Sequence, residues 1–372
     1  MAEKNRQTIV ERIKAVRAQL NTKKIDCLVI TKPANVTYAT GFCGEDSWAV
    51  IAPRAVYLVT DSRYSEQAEG ECPCCKIIQR TKPIPEATAR LLYKLKSVQT
   101  VAAETSTCLA DFGQLRKHLK ARLKSVANIV ETVRTSKDPS EIAAIKAAAR
   151  IAAKAFKQTL QYTKAGITEN ELAGRLDFQI RKLGGRNSFE TIVAFGPNAS
   201  RPHHQPSTRK LKKNDTVLID FGAKYKSYCC DLTRCFCVGK PTAFYKKVYQ
   251  AVEQAQAAAI KTIRAGVEEI AVDAAAREAI KQSDLPVYGH GTGHGLGLEI
   301  HEQPFLTHES KGTLQAGMVL TIEPGIYIPG KLGVRIEDDI LVTENGCKIL
   351  TRNCPYIREN QRWTRQEILY PG

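Results

Sequence analysis

Val217-Leu218-Ile219-Asp220-Phe221-Gly222-Ala223-Lys224-Tyr225-Lys226-Ser227-Tyr228-Cys229-Cys230-Asp231-Leu232-Thr233-Arg234 carries two apolar runs on either side of a polar turn. Residues 217–221 and 227–238 read as strands, with the chain turning at Lys224, Tyr225 and Lys226. A hairpin of this kind brings Asp220 and Asp231 close together. Because side chains alternate along a strand, one face of each strand can aim its aspartate at a shared point.

Three more residues of metal-ligand type follow. His294 lies in the glycine-rich Tyr288-Gly289-His290-Gly291-Thr292-Gly293-His294-Gly295-Leu296-Gly297-Leu298-Glu299-Ile300-His301-Glu302. Glu323 lies in Thr321-Ile322-Glu323-Pro324-Gly325, and Glu337 in Val334-Arg335-Ile336-Glu337-Asp338-Asp339. Four carboxylates and one imidazole make a hard, oxygen-rich donor set, which suits manganese, cobalt, iron or zinc better than a thiolate set would. Carboxylates also bridge, so five side chains are enough for two ions. Two ions about 3.5–4 Å apart are a known way to make hydroxide and clamp a tetrahedral intermediate. Taken singly, each residue has a plainer reading: Asp220 as a strand-end turn residue, Glu323-Pro324-Gly325 as an ordinary turn, His294 as structural. The glycines of 289–297 alone would read as a tight connection with positive φ. Five residues of ligand type, each in a motif that matches the family resemblance given below, outweigh these readings jointly.

At 372 residues the chain has room for two or three domains. Its 43% hydrophobic and 25% charged content is that of a soluble globular protein able to bury a core without staples. No apolar run approaches membrane-spanning length. Residues 1–11 are polar and charged, so no secretory signal is expected. The twelve cysteines include two clusters, Cys72, Cys74 and Cys75, and Cys229, Cys230, Cys235 and Cys237. Neither has the paired spacing of a structural zinc site, and a chain of this length needs no disulfides. Reduced thiols in a cytoplasmic protein are expected, with Cys229 and Cys230 beside Asp231 as an oxidation-sensitive point. The net charge of +17 raises nucleic-acid binding. The basic residues are spread along the chain, however, and the denser groups at 209–213 and 116–124 read as solvated turns and helix faces. No nucleic-acid-binding signature accompanies them, and neither a nucleic-acid nor a membrane partner is expected.

Residues 3–22 carry apolar positions at helical spacing (Ile9, Val10, Ile13, Val16, Leu20). Strands are expected at 27–30, 48–51, 56–60, 76–79, 100–103 and 126–131. Helices are expected from Lys32 to a stop at Gly41, and near 85–96 and 109–123. This alternation indicates an α/β domain ending near residue 132. Asp138 with Glu141 fits a capping box, with Pro139 at the first helical position of an alanine-rich helix reaching Tyr162. Thr168 with Glu171 caps a second helix, to about residue 183. A strand at 189–195 and a loop at 196–208 precede the hairpin. Helices near 242–264 and 268–282 follow it, and then strands at 319–323, 326–328, 333–336 and 340–342.

Leu218-Ile219-Asp220-Phe221-Gly222-Ala223, the run from Tyr228 to Arg234, and those from His290 to Glu302, Gly317 to Gly325 and Arg335 to Asp339 resemble the pita-bread metallopeptidases. Within that group the chain resembles the proline-specific branch, Xaa-Pro aminopeptidase (aminopeptidase P) and Xaa-Pro dipeptidase (prolidase). The likeness spans nearly the whole chain. Thr40-Gly41-Phe42 and Thr60-Asp61-Ser62-Arg63-Tyr64 resemble the creatinase-type N-domain, which methionine aminopeptidases lack. The resemblance implies an α/β N-terminal creatinase-type domain (residues 1–132) followed by an α+β pita-bread catalytic domain (residues 133–372) holding two divalent metal ions, manganese first. It implies that Asp220 binds one metal, that Asp231 and Glu337 bridge both, and that His294 and Glu323 complete the second. Glu323 would also relay a proton from the bridging water, giving a hydroxide that attacks the carbonyl before proline. His301 and His203 match positions that hold the substrate carbonyl and leaving nitrogen, with His204 a close alternative to His203. His290 and Arg335 match pocket positions that bind substrate or orient ligands. For Arg335, a surface salt bridge to Asp338 or Asp339 is an equal alternative. A homodimer is implied as well.

The expected activity is a metal-dependent Xaa-Pro aminopeptidase, with prolidase as the alternative. An Xaa-Pro bond is a tertiary amide with a rigid ring, so a pocket shaped to the ring excludes other residues. In prolidases an arginine often follows the His-Glu-x-Pro segment and holds the dipeptide's carboxylate. Here His301-Glu302-Gln303-Pro304 is followed by Phe305, which favours longer Xaa-Pro-Yaa peptides. Cys230 replaces the serine usual before the second aspartate, a small change that leaves the ligand in place. A non-catalytic pita-bread binding module and a metal-free creatine-type amidinohydrolase are the remaining readings. The full ligand set argues against both.

Overall fold

A computed structural model describes residues 2–95 and 98–356. The last stretch assigned to the catalytic domain from sequence, residues 357–372, lies outside the described residues. The chain divides into two compact units, Met1–Arg134 and Thr135–Gly372.

The first unit runs α1 (Ala2–Thr22), β1 (Cys27–Ile30), α2 (Pro33–Thr40), β2 (Trp48–Ile51), β3 (Val56–Thr60), α3 (Ser65–Glu71), β4 (Lys76–Gln79), α4 (Ile84–Lys94), β5 (Thr100–Glu104), α5 (Leu109–His118), β6 (Arg122–Val126) and α6 (Ile129–Arg134). The strands form one mixed sheet in the order β4-β3-β2-β1-β5-β6. Cys27, Val29, Val50, Val101 and Ala103 pack with Leu91, Leu92 and Leu115 of α4 and α5. Of the apolar positions read on α1, Ile9, Ile13, Val16 and Leu20 are buried as their helical spacing requires, while Val10 is exposed. Gly41 ends α2 with φ of 85°, a left-handed cap that glycine adopts without strain.

One expectation fails in this unit. The last strand is Arg122–Val126, and 129–134 is helical where a strand at 126–131 was expected. β6 is an edge strand with exposed and half-buried positions, so its Arg122 and Lys124 hide the apolar signal. Asn128, at φ 59°, breaks the chain before the helix, and Ile129, Val130 and Val133 then meet helical spacing. The helix expected at 109–123 accordingly stops at His118.

The second unit opens on α7 (Pro139–Thr159) and α8 (Glu169–Lys182), both starting in complete capping boxes, Asp138 with Glu141 and Thr168 with Glu171. It continues β7 (Arg186–Asn187), β8 (Ile192–Phe195), β9 (Thr216–Phe221), β10 (Ala223–Tyr225), β11 (Tyr228–Cys229), β12 (Leu232–Cys237), α9 (Ala243–Thr262), α10 (Glu269–Lys281), β13 (Gly293–Gly295), β14 (Glu302–Leu306), β15 (Val319–Ile322), β16 (Gly325–Ile328), β17 (Leu332–Arg335), β18 (Asp338–Thr343) and β19 (Gly346–Ile349). Two sheets, β12-β9-β8 and β14-β13-β15-β18-β19, carry the site residues. Each backs onto a helix pair. Val217, Ile219 and Phe221 pack with Ala152, Phe156 and Leu176 of α7 and α8. Leu320, Ile322 and Ile340 pack with Val248, Val252 and Ala276 of α9 and α10. No helix among the described residues is long and apolar enough to cross a membrane. All twelve cysteines are unbridged.

Candidate metal centre

Strand alternation sets the direction of the first two carboxylates. On β9, the odd positions Val217, Ile219 and Phe221 face α7 and α8, while Leu218 joins the opposite cluster. Asp220 shares the parity of Leu218 and so points away from α7 and α8. β12 pairs antiparallel with β9, placing Thr233 opposite Asp220. Asp231 precedes β12 and shares the parity of Thr233. The hairpin expected from sequence therefore exists, with β10 and β11 forming its tip.

The glycine-rich run holds a short strand, Gly293–Gly295, between loop segments. β13 lies between β14 and β15. None of Gly289, Gly291, Gly293, Gly295 and Gly297 has positive φ. Close approach explains two of them: a Cβ on Gly293 would fall 1.9 Å from the Thr321 carbonyl oxygen, and one on Gly295 2.2 Å from that of Gln303. That tight sandwich fixes His294. Its backbone N–H donates to Thr321 Oγ1 at 3.0 Å, and its Nδ1 lies 3.0 Å from the Gly295 carbonyl. A carbonyl only accepts, so Nδ1 carries the hydrogen and the Nε2 lone pair is left for the cluster.

Nε2 of His294 lies 3.5 Å from Glu323 Oε1 and 3.8 Å from Asp231 Oδ2. Donor atoms of Asp231, His294 and Glu337 all fall within 4.8 Å of one another. Glu323 ends β15 on the face of Thr321, opposite the α9-facing Leu320 and Ile322. Thr233 Oγ1 donates to Glu337 Oε2 at 2.6 Å, and Asp339 Oδ2 accepts the Asp231 N–H at 3.2 Å.

So many buried carboxylates in one place resist ionisation. Burial, then neighbouring negative charge from Glu337 and Asp220, pushes Asp231 well above the ordinary aspartate range. Burial and then Glu323 do the same to Glu337. Burial raises Glu323 to about 7, with Arg335 opposing. Burial, helped by the neighbouring His301 and opposed by the Gly295 and Ile300 backbone, carries His294 down to about 4, so its ring stays neutral at physiological pH. Oδ1 of Asp220 and Oδ1 of Asp231 are buried and accept no hydrogen bond among the described residues. A neutral imidazole aiming a lone pair at clustered carboxylates with unfilled acceptors is an arrangement that divalent cations satisfy. The donor set fits the metals expected from the sequence.

Arg335 is buried beneath the cluster. Its Nη2 donates to Asp220 Oδ2 at 2.6 Å, Nη1 to Tyr327 Oη at 2.8 Å and Nε to Thr233 Oγ1 at 3.1 Å. The surface pairing with Asp338 or Asp339 is not formed. Asp338 is taken by Arg234 at 2.8 Å, by Thr351 and by the Tyr356 hydroxyl. Arg234 also donates to the Glu337 carbonyl at 2.6 Å and so props the backbone of that carboxylate. Thr233, Tyr327, Arg234 and Asp339 were not singled out from sequence. Parity with Asp231 could have flagged Thr233, while the other three depend on contacts from distant segments.

A cavity of about 510 Å³ opens over the cluster and is lined by Asp220, Asp231, His294, Glu323, Arg335 and Glu337 on its polar side. His203, His204, His290 and His301 also line it. His290 bonds Tyr327 Oη through Nε2 at 3.0 Å, and burial drives its pKa down to about 4. The His301 ring packs edge-on against that of His294, with centroids 4.4 Å apart, and burial lowers its pKa. Of the two adjacent histidines, His203 is exposed on the cavity. His204 is buried with its Nε2 2.8 Å from Glu169 Oε2, itself a fully buried carboxylate. Phe305 lines the cavity and is 43% exposed. Cys229 and Cys230 differ from expectation. Both are buried, and burial raises Cys229 to about 11 and Cys230 well above the ordinary thiol range. They are held as inert thiols, and the oxidation-sensitive point read from sequence is absent.

Comparison with known proteins adds to this geometry. The family model described as metallopeptidase family M24 matches residues 143–344, and that of the creatinase/prolidase N-terminal domain matches residues 12–136. The uncharacterized peptidase YqhT of Bacillus subtilis is 39% identical over 347 residues, covering 92% of this chain and 98% of its own. A Xaa-Pro dipeptidase structure from Bacillus anthracis superposes with a TM-score of 0.89 at 36% identity, covering 92% of this chain and 98% of that one. An X-Pro aminopeptidase from Thermotoga maritima gives 0.84 at 36%, over 88% and 96%. A prolidase from Pyrococcus furiosus gives 0.82 at 32%, over 90% and 98%.

Proposed function

The chain belongs to metallopeptidase family M24, with a creatinase-type domain ahead of its catalytic domain, and from that premise we propose that it is a Xaa-Pro aminopeptidase releasing the residue before an N-terminal-penultimate proline. One observation carries the choice of aminopeptidase. A dipeptide presents its C-terminal carboxylate next to the scissile bond and calls for a cation there. Arg335 is the one Lys or Arg among the described lining residues, and its donors already go to Asp220, Tyr327 and Thr233. Phe305 offers an apolar, exposed wall instead. A peptide that continues past proline meets such a wall without an unpaired charge.

In this reading Asp220, Asp231, His294, Glu323 and Glu337 hold two divalent cations, manganese first. Bound there, the cations would polarise the scissile carbonyl and make water acidic enough to attack at neutral pH. Glu323 takes the proton of the attacking water and delivers it to the proline nitrogen. That delivery is needed because a tertiary amide nitrogen leaves only when protonated. His301, kept neutral by burial, donates a ring N–H to the carbonyl oxygen, and His203 reaches the leaving nitrogen from its exposed loop position. The water oxygen ends on the carbonyl carbon and its proton on nitrogen, giving a free amino acid and a prolyl peptide. Thr233, Arg335 and Arg234 keep the carboxylates aimed.

Xaa-Pro dipeptidase is the second reading, favoured by the likeness to the B. anthracis dipeptidase and the P. furiosus prolidase. The deciding test strips the protein with chelator and reloads it with manganese, cobalt or zinc. It then compares Ala-Pro, Ala-Pro-Ala and Ala-Ala-Ala. Metal-dependent cleavage of Ala-Pro-Ala with slow Ala-Pro is the expected result. Fast Ala-Pro with Ala-Pro-Ala untouched makes it a dipeptidase.

A further inference from the structure

The chain carries 55 Lys and Arg against 38 Asp and Glu, a formal net charge of +17. Such a surface draws anions in general. The cavity has the opposite sign: Glu190, Asp220, Asp231, Glu323 and Glu337 line it against the single guanidinium of Arg335. Four of these carboxylates, Asp220, Asp231, Glu323 and Glu337, belong to the proposed ligand set and would meet the charge of bound cations. Glu190 stands apart from them. It lies two residues before Ile192, the cross-strand partner of Asp220 at the start of β8, and both Glu190 and Ile192 line the cavity. Glu190 is exposed, and among the described residues no hydrogen bond or ion pair takes up its carboxylate. Phe189 and Ile192 beside it on the lining are apolar, and Thr191 between them is buried with its hydroxyl donating to Asp177 Oδ1 at 2.6 Å. A free carboxylate beside apolar walls matches a long cationic side chain, whose methylene stem packs on the walls while its head reaches the charge.

We propose that Glu190 is a specificity-determining residue that selects peptides bearing a lysine or arginine side chain next to the Xaa-Pro bond. This rests on the reading of the cavity as a peptide site. It departs from what the net charge alone would suggest, since a basic protein would then favour cationic substrates.

The test uses the full chain loaded with manganese and compares isosteric pairs, Arg-Pro-Ala with citrulline-Pro-Ala and Ala-Pro-Arg with Ala-Pro-citrulline. The kcat/KM ratio within a pair cancels everything but the charge, and the pair that responds tells on which side of the bond Glu190 acts. A partly exposed ion pair predicts a ratio of about fivefold in at least one pair. The ratio should fall toward one in Glu190→Gln and at 0.5 M salt, and Glu190→Lys should invert it in favour of the neutral member of the pair. A wild-type ratio near one overturns the proposal, as does a ratio that survives Glu190→Gln. So does a uniform loss on all peptides, which would mean that Glu190 grips a group common to every substrate. If the wild type cleaves none of them, the peptidase reading falls separately. The same ratios taken as Kd by titration calorimetry then decide Glu190 on their own, a ratio near one overturning it.

Discussion

Replacing Arg335 with methionine removes the cation that faces Asp220 while keeping an apolar stem of similar length. The side chains of Arg335 and Asp220 are 3% and 13% exposed, and their contact is 2.6 Å. Tyr327 keeps His290 as a partner, and Thr233 keeps Glu337. The loss therefore falls on Asp220. Its Oδ1 already accepts nothing among the described residues, and Oδ2 would lose its donor. Stripping one partner from a buried pair costs about 3–5 kcal/mol, and the residual exposure of Asp220 argues for the lower end, about 3. For a unit of this size, about 3 kcal/mol lowers Tm by roughly 6–12 °C in the metal-free protein. Divalent cations replace the missing charge, so manganese should shrink the deficit and recover most of it. Differential scanning fluorimetry of wild type and Arg335→Met, with and without manganese, reads both states. An equal deficit with and without manganese would refute the reasoning, because Arg335 would then matter by packing rather than by charge.

Asp231→Asn and Glu323→Gln should each abolish turnover with far-UV circular dichroism unchanged, and Asp231→Asn should also lower bound metal by mass spectrometry; full activity with a normal metal load would remove the ligand assignment. The metal-induced rise in Tm should grow from pH 5.5 to pH 8. Asp231, Glu323 and Glu337 all have raised folded pKa values, Glu323 at about 7, so the metal must displace protons from them at low pH, while His294 at about 4 is already neutral. Each displaced proton changes apparent affinity by roughly tenfold per pH unit, and a flat profile measured by scanning fluorimetry would contradict this. Phe305→Arg should raise kcat/KM for Ala-Pro relative to Ala-Pro-Ala, since it supplies the cation the cavity lacks; a falling ratio would count against the aminopeptidase argument. Brief treatment of the folded protein with iodoacetamide should label the exposed Cys43 and Cys108 and spare Cys229 and Cys230, as read by peptide mass spectrometry.

What the sequence could show about the site was local. Period-2 alternation within 217–238 was enough to bring Asp220 and Asp231 to one point, because both strands of that hairpin are contiguous in the chain and buried on both faces. Capping boxes at Asp138 and Thr168 were legible for the same reason: each is closed within four residues. The misreadings share the opposite property. Gly293 and Gly295 look like turn formers, and only the Thr321 and Gln303 carbonyls, contributed by β15 and the segment at β14, show that they are places of close strand packing. Arg335 lies near Asp338 and Asp339 in sequence yet pairs with Asp220, 115 residues away, because β17 brings it under the hairpin while Arg234 takes Asp338 from the far side. His203 and His204 are equivalent as letters. The buried Glu169 at the start of α8 takes up the ring of His204, while its neighbour is left exposed. Glu190 follows the same logic with the opposite outcome. No partner arrives from elsewhere in the described chain, so its charge remains available to a ligand, and its function depends on a contact that the peptide itself must supply.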